Sequence, residues 1–173
     1  MLKISAVNST DLSAVLDLYE RSFPENEKSP LDPMLEDRTG SAEILSAHLD
    51  DVFCGFVCIL KCDDIVHIIY FAVEESMRGK GTGTGILQKV HERYPGMRII
   101  VDIEQPTENA PNNEERISRK AFYLRCGYQE NDFAYNWRDT DYTVLSQGGS
   151  ITHEEFRLFW RNLRQIMPQA QIY

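Results

Sequence analysis

The stretch RGKGTGTG at Arg78–Gly85 decides the fold, because it separates two segments whose apolar residues repeat with different periods. The segment before it, Val66–Val73, is rich in apolar and β-branched residues, which is typical of a buried strand. The segment after it repeats apolar residues at helical spacing, at Ile86, Leu87, Val90 and Tyr94. The sequence therefore predicts a strand that ends near Val73, a glycine-rich loop, and a helix that begins near Thr82.

A glycine-rich loop in front of a helix is suited to binding phosphate. The first N–H groups of a helix lack intrahelical partners and lie at the positive end of its dipole, so phosphate oxygens can accept hydrogen bonds from them. Glycine lets the anion come close to the backbone. Arg78 and Lys80 place two cations there, although 18 Lys and Arg against 27 Asp and Glu give the chain a net charge of −9. We therefore expect the loop to bind a pyrophosphate.

Two common phosphate-binding motifs do not fit this loop. A P-loop needs glycine five residues before its Gly-Lys pair and Ser or Thr after it, but Glu74 and Gly81 stand at those positions. A dinucleotide-binding G-x-G-x-x-G motif that starts at Gly79 meets Thr84 in place of its last glycine. The same motif started two residues later meets Ile86. Neither motif explains the loop.

A third pattern, Q/R-x-x-G-x-G/A, is met by Arg78, Gly81 and Gly83, and it resembles the acetyl-CoA loop of the GNAT family of N-acetyltransferases. The segment FYLRCGY at Phe122–Tyr128 resembles that family's F-Y-x-x-x-G-F/Y segment. The resemblance runs over about residues 2–146. It implies acetyl-CoA as co-substrate, no metal, and transfer of an acetyl group to a primary amine of a small or peptidic acceptor in a ternary complex.

The resemblance also implies where the cofactor binds. The pantetheine arm would pair with the backbone of Phe71, Ala72 and Val73, and an N–H group near Val73 would stabilise the oxyanion that forms on the thioester carbonyl. The pyrophosphate would bind the loop itself, through Arg78, Gly79, Lys80, Gly81, Thr82 and Gly83. The family's frequent Asn seven residues before its tyrosine is replaced here by Arg116, so the resemblance does not extend to that cofactor contact.

Three residues are candidates for the chemistry. Tyr123 corresponds to the family tyrosine that hydrogen-bonds or protonates the leaving sulfur. A phenol with a pKa of about 10 gives up its proton less readily than a thiol near 8.5, so a hydrogen bond to the thiolate is the expected role. His67 matches a position that often carries a glutamate base, and a neutral imidazole can accept the amine proton at physiological pH. Glu104 competes for that role or binds a cationic amine.

Each of these residues also has a structural interpretation. Tyr123 is also suited to core packing, His67 to a partly buried, hydrogen-bonded site in a strand, and Glu104 to a solvated strand end. The alternative function is a non-catalytic module of the same fold that binds or senses acetyl-CoA, and the uncertain base is the feature that motivates it.

The remaining patterns predict an α+β fold with a central, mostly antiparallel twisted sheet of about seven strands flanked by helices. A strand and a helix open the chain, and residues 42–73 form three strands joined by acidic turns at residues 50–51 and 63–64. Residues 22–40, with three prolines, are expected to be mostly loop and to shape the acceptor pocket together with the final hairpin.

The C-terminal half is expected to hold two more helices. Residues 114–126 predict a helix with Ile117, Ala121 and Leu124 on one stripe. A turn at residues 139–141 closes the final hairpin. A capping box at Thr152–Glu155 opens an amphipathic helix over about residues 152–166. We interpret residues 1–173 as a single domain with a core over about residues 2–146.

The net charge and the cysteines indicate which classes of partner and which cellular location to expect. A net charge of −9 disfavours nucleic acid and anionic membrane surfaces and favours a cationic amine as acceptor. Four cysteines without a C-x-x-C pair indicate reduced thiols and a cytoplasmic location. The sequence shows neither a signal peptide nor an apolar run of membrane-spanning length. The sequence does not identify the acceptor amine, and it is compatible with a homodimer.

Overall fold

The computed structural model describes residues 1–167, and the seven strands in them form one mostly antiparallel sheet. The strands are β1 (Leu2–Ala6), β2 (Ala42–Leu49), β3 (Val52–Cys62), β4 (Ile65–Val73), β5 (Arg98–Glu104), β6 (Gln129–Trp137) and β7 (Thr140–Gln147). The helices are α1 (Ser9–Ser22), α2 (Asp32–Glu36), α3 (Thr82–Arg93), α4 (Asn113–Arg125) and α5 (His153–Asn162). The strand order is β1-β2-β3-β4-β5-β7-β6, so the predicted α+β class is confirmed.

The chain divides into two compact units, of which the first comprises residues 1–61 and 68–95. Its strands β1 and β2 pair antiparallel from Leu2 opposite Leu49 to Ala6 opposite Leu45. Helix α3 packs so closely on β1 that a Cβ atom at Gly85 would lie 2.7 Å from a methyl group of Leu2. The close approach fixes the beginning of α3, and with it the glycine-rich loop, against the sheet.

The second unit comprises residues 62–67 and the chain from Gly96 onward. Strand β7 lies between β5 and β6 and pairs antiparallel with both. The capping box of α5 is present, and the Arg98 guanidinium bonds both Asp64 and Glu155 at 2.8 Å. These ion pairs hold the first turn of α5 on the sheet.

Helix α5 ends at Asn162, four residues earlier than predicted. Residues 163–166 continue as hydrogen-bonded turns, and the N–H groups of Ile166 and Met167 both donate to Leu163 O. The apolar side chains stay buried through these turns, and the hydrophobic pattern therefore extends beyond the helix. The single-domain interpretation stays a prediction, and its last residues, 168–173, lie outside the described part of the chain.

The apolar stripe of α4 lies largely outside the core. Ile117 and Leu124 are 52% and 46% exposed, whereas Tyr123 is buried. The inward face instead carries Arg116, seven residues before Tyr123, because the buried carboxylate of Glu104 needs a positive partner there. A pattern search that counts only aliphatic residues cannot detect such a face.

Candidate active site

The glycine-rich loop lies where the sequence predicts it. Strand β4 ends at Val73, one 3-10 turn follows, and α3 begins at Thr82. Gly79 and Gly81 have φ values of 72° and 80°, in the left-handed region that favours glycine. Gly81 is the N-cap of α3, no side chain caps the helix, and a Cβ atom on either glycine would meet no atom within 4 Å. The first turn of α3 is therefore open to an outside acceptor for its N–H groups.

The two cationic side chains of the loop, Arg78 and Lys80, each donate a hydrogen bond to a nearby backbone carbonyl group. The Arg78 Nε–H group donates to Val73 O at 2.9 Å, and the Lys80 ammonium donates to Ser76 O at 2.8 Å. Both side chains are exposed, and each has further N–H donors beyond the one used. Arg78 and Lys80 can thus hold the loop in shape and still bond phosphate oxygens.

His67 is completely buried in the second unit. Its Nε2 atom lies 3.0 Å from Asp102 Oδ1, while its Nδ1 atom is buried and has no hydrogen-bond partner among the described residues. Three rings of α5 surround the imidazole, with centroid distances of 5.9, 5.7 and 5.2 Å to Phe156, Phe159 and Trp160. The C-terminal helix therefore covers this candidate base.

Asp102 bonds two ring side chains at once. One carboxylate oxygen is paired with His67, and the other accepts a hydrogen bond from the hydroxyl of Tyr135. Burial would raise the pKa of Asp102, but the charge and hydrogen bond of His67, together with the Tyr135 hydroxyl, outweigh burial and lower that pKa. Because a carboxylate only accepts, His67 carries a proton on Nε2 in this arrangement.

Glu104 is buried at the end of β5 and bound to α4. Arg116 Nη2 lies 2.8 Å from its Oε1 atom, Asn112 Nδ2 lies 3.1 Å from Oε2, and Arg119 approaches Oε2 at 3.7 Å. Arg116 also donates to Gln105 O at 3.0 Å. The arginine that replaces the family's asparagine therefore neutralises Glu104 and joins α4 to β5.

Tyr123 is buried on α4 and contacts the rings of Phe122 and Tyr128, at centroid distances of 5.2 and 5.4 Å. Burial raises the pKa of its phenol well above the ordinary value; the positive charge of Arg119 opposes the shift and the negative charge of Asp102 adds to it. The hydroxyl therefore stays protonated at neutral pH and can act only as a neutral hydrogen-bond donor or acceptor.

The candidate residues divide between the two units. Phe71–Val73 and Arg78–Gly83 belong to the first, with Ala72 buried and its two neighbours half-buried, whereas His67, Glu104 and Tyr123 belong to the second. Within the second unit, the structure brings His67 to Asp102 and Glu104 to Arg116.

Sequence reasoning identified neither Asp102 as the partner of His67 nor Tyr135 as the second partner of Asp102. The signal for one of them was present, since His67 and Asp102 each interrupt an apolar strand, and a buried polar group needs a partner. Tyr135 gave no such signal, because an aromatic residue in an alternating strand is ordinary core.

A comparison with models of protein families now adds to this geometry. The model of the acetyltransferase (GNAT) domain matches residues 40–130, which include the loop, His67, Glu104 and Tyr123. The chain belongs to the GNAT acetyltransferase family. The family predicted from the two motifs is thereby confirmed. Members of this family use acetyl-CoA, so the predicted co-substrate is confirmed at the level of the family.

Solved structures of GNAT proteins share the fold. An acetyltransferase of the family from Bacteroides thetaiotaomicron is 21% identical, with a TM-score of 0.76 over 95% of this chain and 97% of that one. The ribosomal-protein-S18-alanine N-acetyltransferase from Escherichia coli is 18% identical, with a TM-score of 0.63 over 89% and 97%. An aminoglycoside 6′-N-acetyltransferase complexed with coenzyme A is 15% identical, with a TM-score of 0.64 over 84% and 96%. A search of curated proteins finds no match.

Two further features of the structure bear on whether residues 1–167 could bind a metal ion or span a membrane. In residues 1–167, no group of three or more His, Cys, Asp or Glu side chains is placed to hold a metal ion. No helix in the same residues has both the length and the apolar character that spanning a membrane requires. The cytoplasmic location and the homodimer stay predictions.

Proposed function

We propose that this GNAT protein transfers the acetyl group of acetyl-CoA to a primary amine of a small-molecule or peptidic acceptor, by direct attack in a ternary complex. The amine nitrogen forms the amide bond as the thioester C–S bond breaks, and the sulfur leaves as a thiolate. The observation that carries the proposal is the loop of exposed, left-handed glycines at the uncapped start of α3, directly after β4.

The donor would bind through backbone groups and two cations. The residues fit it, because the uncapped first turn of α3 needs an outside acceptor and no side chain occupies the space next to Gly79 and Gly81. Arg78 and Lys80 would bond the phosphates, and the backbone of Phe71–Val73 would pair with the pantetheine arm. Acetyl-CoA should therefore raise the melting temperature far more than ATP at equal concentration. Equal shifts with the two nucleotides would refute this assignment.

Two residues are candidates for the general base that takes the proton of the acceptor ammonium. An alkylamine with a pKa of about 10.4 is almost wholly protonated at neutral pH, so a base has to take its proton. His67 is a candidate base that α5 covers, and its Nδ1 atom, which has no hydrogen-bond partner among the described residues, would accept a proton from the acceptor only after α5 moves. Glu104 is a candidate that is paired with Arg116, and it would act through water.

The pH dependence of kcat/KM separates the two bases. If His67 takes the proton, activity rises between about pH 5 and 8, where imidazoles titrate, and His67→Gln loses that rise. If Glu104 is the base, the acceptor ammonium is the main titrating group, and kcat/KM keeps climbing toward the acceptor pKa. Profiles of wild type, His67→Gln and Glu104→Gln make this comparison. A His67→Gln profile that superimposes on wild type would leave His67 a core residue.

Tyr123 is proposed to donate a hydrogen bond to the leaving sulfur. Its raised pKa keeps the hydroxyl protonated, and a hydrogen bond to a group that gains charge contributes about 1.5–3 kcal/mol. Tyr123→Phe should therefore lower kcat about 10- to 100-fold and leave the affinity for acetyl-CoA unchanged. Tyr128→Phe removes the hydroxyl of the neighbouring buried tyrosine and serves as the matched control. Full turnover by Tyr123→Phe would leave this residue a role in packing only.

The acceptor is proposed to be a cationic amine. The chain carries net charge −9, and the neighbours in fold include enzymes for a ribosomal-protein alanine and for an aminoglycoside, both of which offer an amino group. A panel of spermidine, kanamycin, lysine and a tetrapeptide that begins with alanine covers these chemistries. Mass spectrometry of the acetylated product would identify the class. Acetylation of none of the four would contradict this choice of acceptor.

A second function is favoured by one observation. Both candidate bases are buried and bonded, His67 to Asp102 and Glu104 to Arg116, as would be expected of a module that binds acetyl-CoA without turnover. Such a module would be stabilised by acetyl-CoA and would release no CoA when amines are added.

A further inference from the structure

The Pro24–Leu31 segment between α1 and α2 is held by two tyrosine hydroxyls of the first unit. Tyr70 Oη donates to Glu27 O at 2.9 Å. Tyr19 Oη donates to Ser29 O at 2.8 Å and accepts from Ser29 N at 2.9 Å. The backbone of the segment therefore takes part in three hydrogen bonds with buried phenols.

Ring packing fixes both hydroxyls. Tyr19, Phe23 and Tyr70 contact one another, with centroid distances of 4.9 Å for Tyr19–Tyr70, 5.0 Å for Phe23–Tyr70 and 5.5 Å for Tyr19–Phe23. Both tyrosines are at most 5% exposed, and burial raises the pKa of both phenols. Buried phenols need hydrogen-bond partners, and the segment supplies them. The order of the segment is thus coupled to the packing of this aromatic cluster.

Tyr70 links the segment to the strand proposed to hold the acyl donor. It precedes Phe71–Val73 directly on β4, and its hydroxyl reaches the backbone of Glu27. One tyrosine side chain therefore separates the segment from this part of β4. Two ion pairs also hold the segment, since the ammonium of Lys28 lies 2.5 Å from carboxylates of both Glu20 and Glu25.

We infer that Tyr70 is a positioning residue for the acetyl acceptor, because its hydroxyl holds the Pro24–Leu31 segment on β4 as a fixed wall of the acceptor site. This inference rests on the proposed function. A wall that is ordered before binding spares the acceptor the loss of entropy that ordering it would cause. Removal of the hydroxyl should therefore weaken acceptor binding while the donor site, formed by other residues, is retained.

Tyr70→Phe tests the inference, because it keeps the ring and removes only the hydroxyl. Amide hydrogen exchange in residues 26–31 should become about fivefold faster, the change expected for loss of one neutral hydrogen bond. The KM for whichever amine of the panel turns over should rise about threefold to tenfold, with kcat and acetyl-CoA affinity unchanged. Tyr19→Phe, which removes two bonds to Ser29, should act in the same direction.

Tyr94→Phe is the matched control, since it removes a buried tyrosine hydroxyl at the end of α3. It should change neither the exchange in residues 26–31 nor the acceptor KM. The inference is overturned if Tyr70→Phe leaves exchange in the segment at the wild-type rate, or if exchange accelerates while the acceptor KM stays constant. Absence of turnover in wild type would instead refute the proposed function, and the exchange rates would still show whether Tyr70 orders the segment.

Discussion

Gly81→Glu is expected to abolish the stabilisation of the protein by acetyl-CoA. The new carboxylate would stand at the N-cap of α3, where it would fill the proposed phosphate site and repel the phosphates. Wild type at a ligand concentration 100 times the dissociation constant should gain about 2.7 kcal/mol of unfolding free energy, and the variant none. Thermal unfolding with and without acetyl-CoA measures this difference.

The matched control for this variant is Gly96→Glu. Gly96 has a φ of 77°, close to the 80° of Gly81, and a Cβ atom at either position would meet no atom within 4 Å. The two variants therefore add similar backbone strain at different places, and this strain should lower the stability of the unliganded protein by about 1 kcal/mol in each. Only Gly96→Glu should keep the acetyl-CoA shift. An undiminished shift in Gly81→Glu would remove the loop from the cofactor site.

Asp102→Ala is expected to lower the unfolding free energy by about 3 kcal/mol. The change removes the Asp102 carboxylate that accepts from the Nε2–H group of His67 and from the hydroxyl of Tyr135, and each hydrogen bond to a charged group is worth about 1.5–3 kcal/mol. Asp102→Asn keeps one acceptor oxygen and should show roughly half of the loss. Urea denaturation at neutral pH measures both.

The effect of these variants on the free energy of unfolding should also depend on pH, in a direction that the pKa of Asp102 fixes. The pKa of Asp102 is lowered in the folded state from an ordinary value of 3.8, so its contribution to stability is complete above that pH. The contribution is lost as the pH falls through the lowered folded-state value. The stability of wild type should therefore approach that of Asp102→Asn below about pH 3.8, and the two should differ most near neutral pH. A constant difference between the two proteins from pH 3 to 7 would contradict the role given to this carboxylate.

Local sequence signals were sufficient for most of the fold. The acidic turns fall where expected, and Asp50, Asp51 and Asp63 adopt φ values of 49°, 66° and 52°, a region that aspartate tolerates better than most residues. The last hairpin turns one residue earlier than predicted, at Arg138 and Asp139, because Trp137 pairs with Thr140 and leaves only two residues between them. Strand register, which no local pattern records, decides that turn.

The environment of the candidate base could not be predicted in the same way. His67 and the α5 ring of Trp160 are separated by more than 90 residues of sequence, and no periodicity connects them. The amphipathic pattern of α5 correctly predicts that Phe156, Phe159 and Trp160 are buried. It does not indicate which residue they cover, since a hydrophobic face does not specify the residues against which it packs. Tertiary packing alone places the C-terminal helix over His67.

Release of CoA thiol from acetyl-CoA tests the proposed acetyl transfer most directly. The initial rate would be followed with wild-type protein, with and without the four amines of the panel, alongside Tyr123→Phe. We expect release that depends on at least one amine, with one acetylated amine formed per CoA and a rate about 10- to 100-fold lower in the variant. Stabilisation by acetyl-CoA without any amine-dependent release would contradict acetyl transfer and support a module that only binds the cofactor.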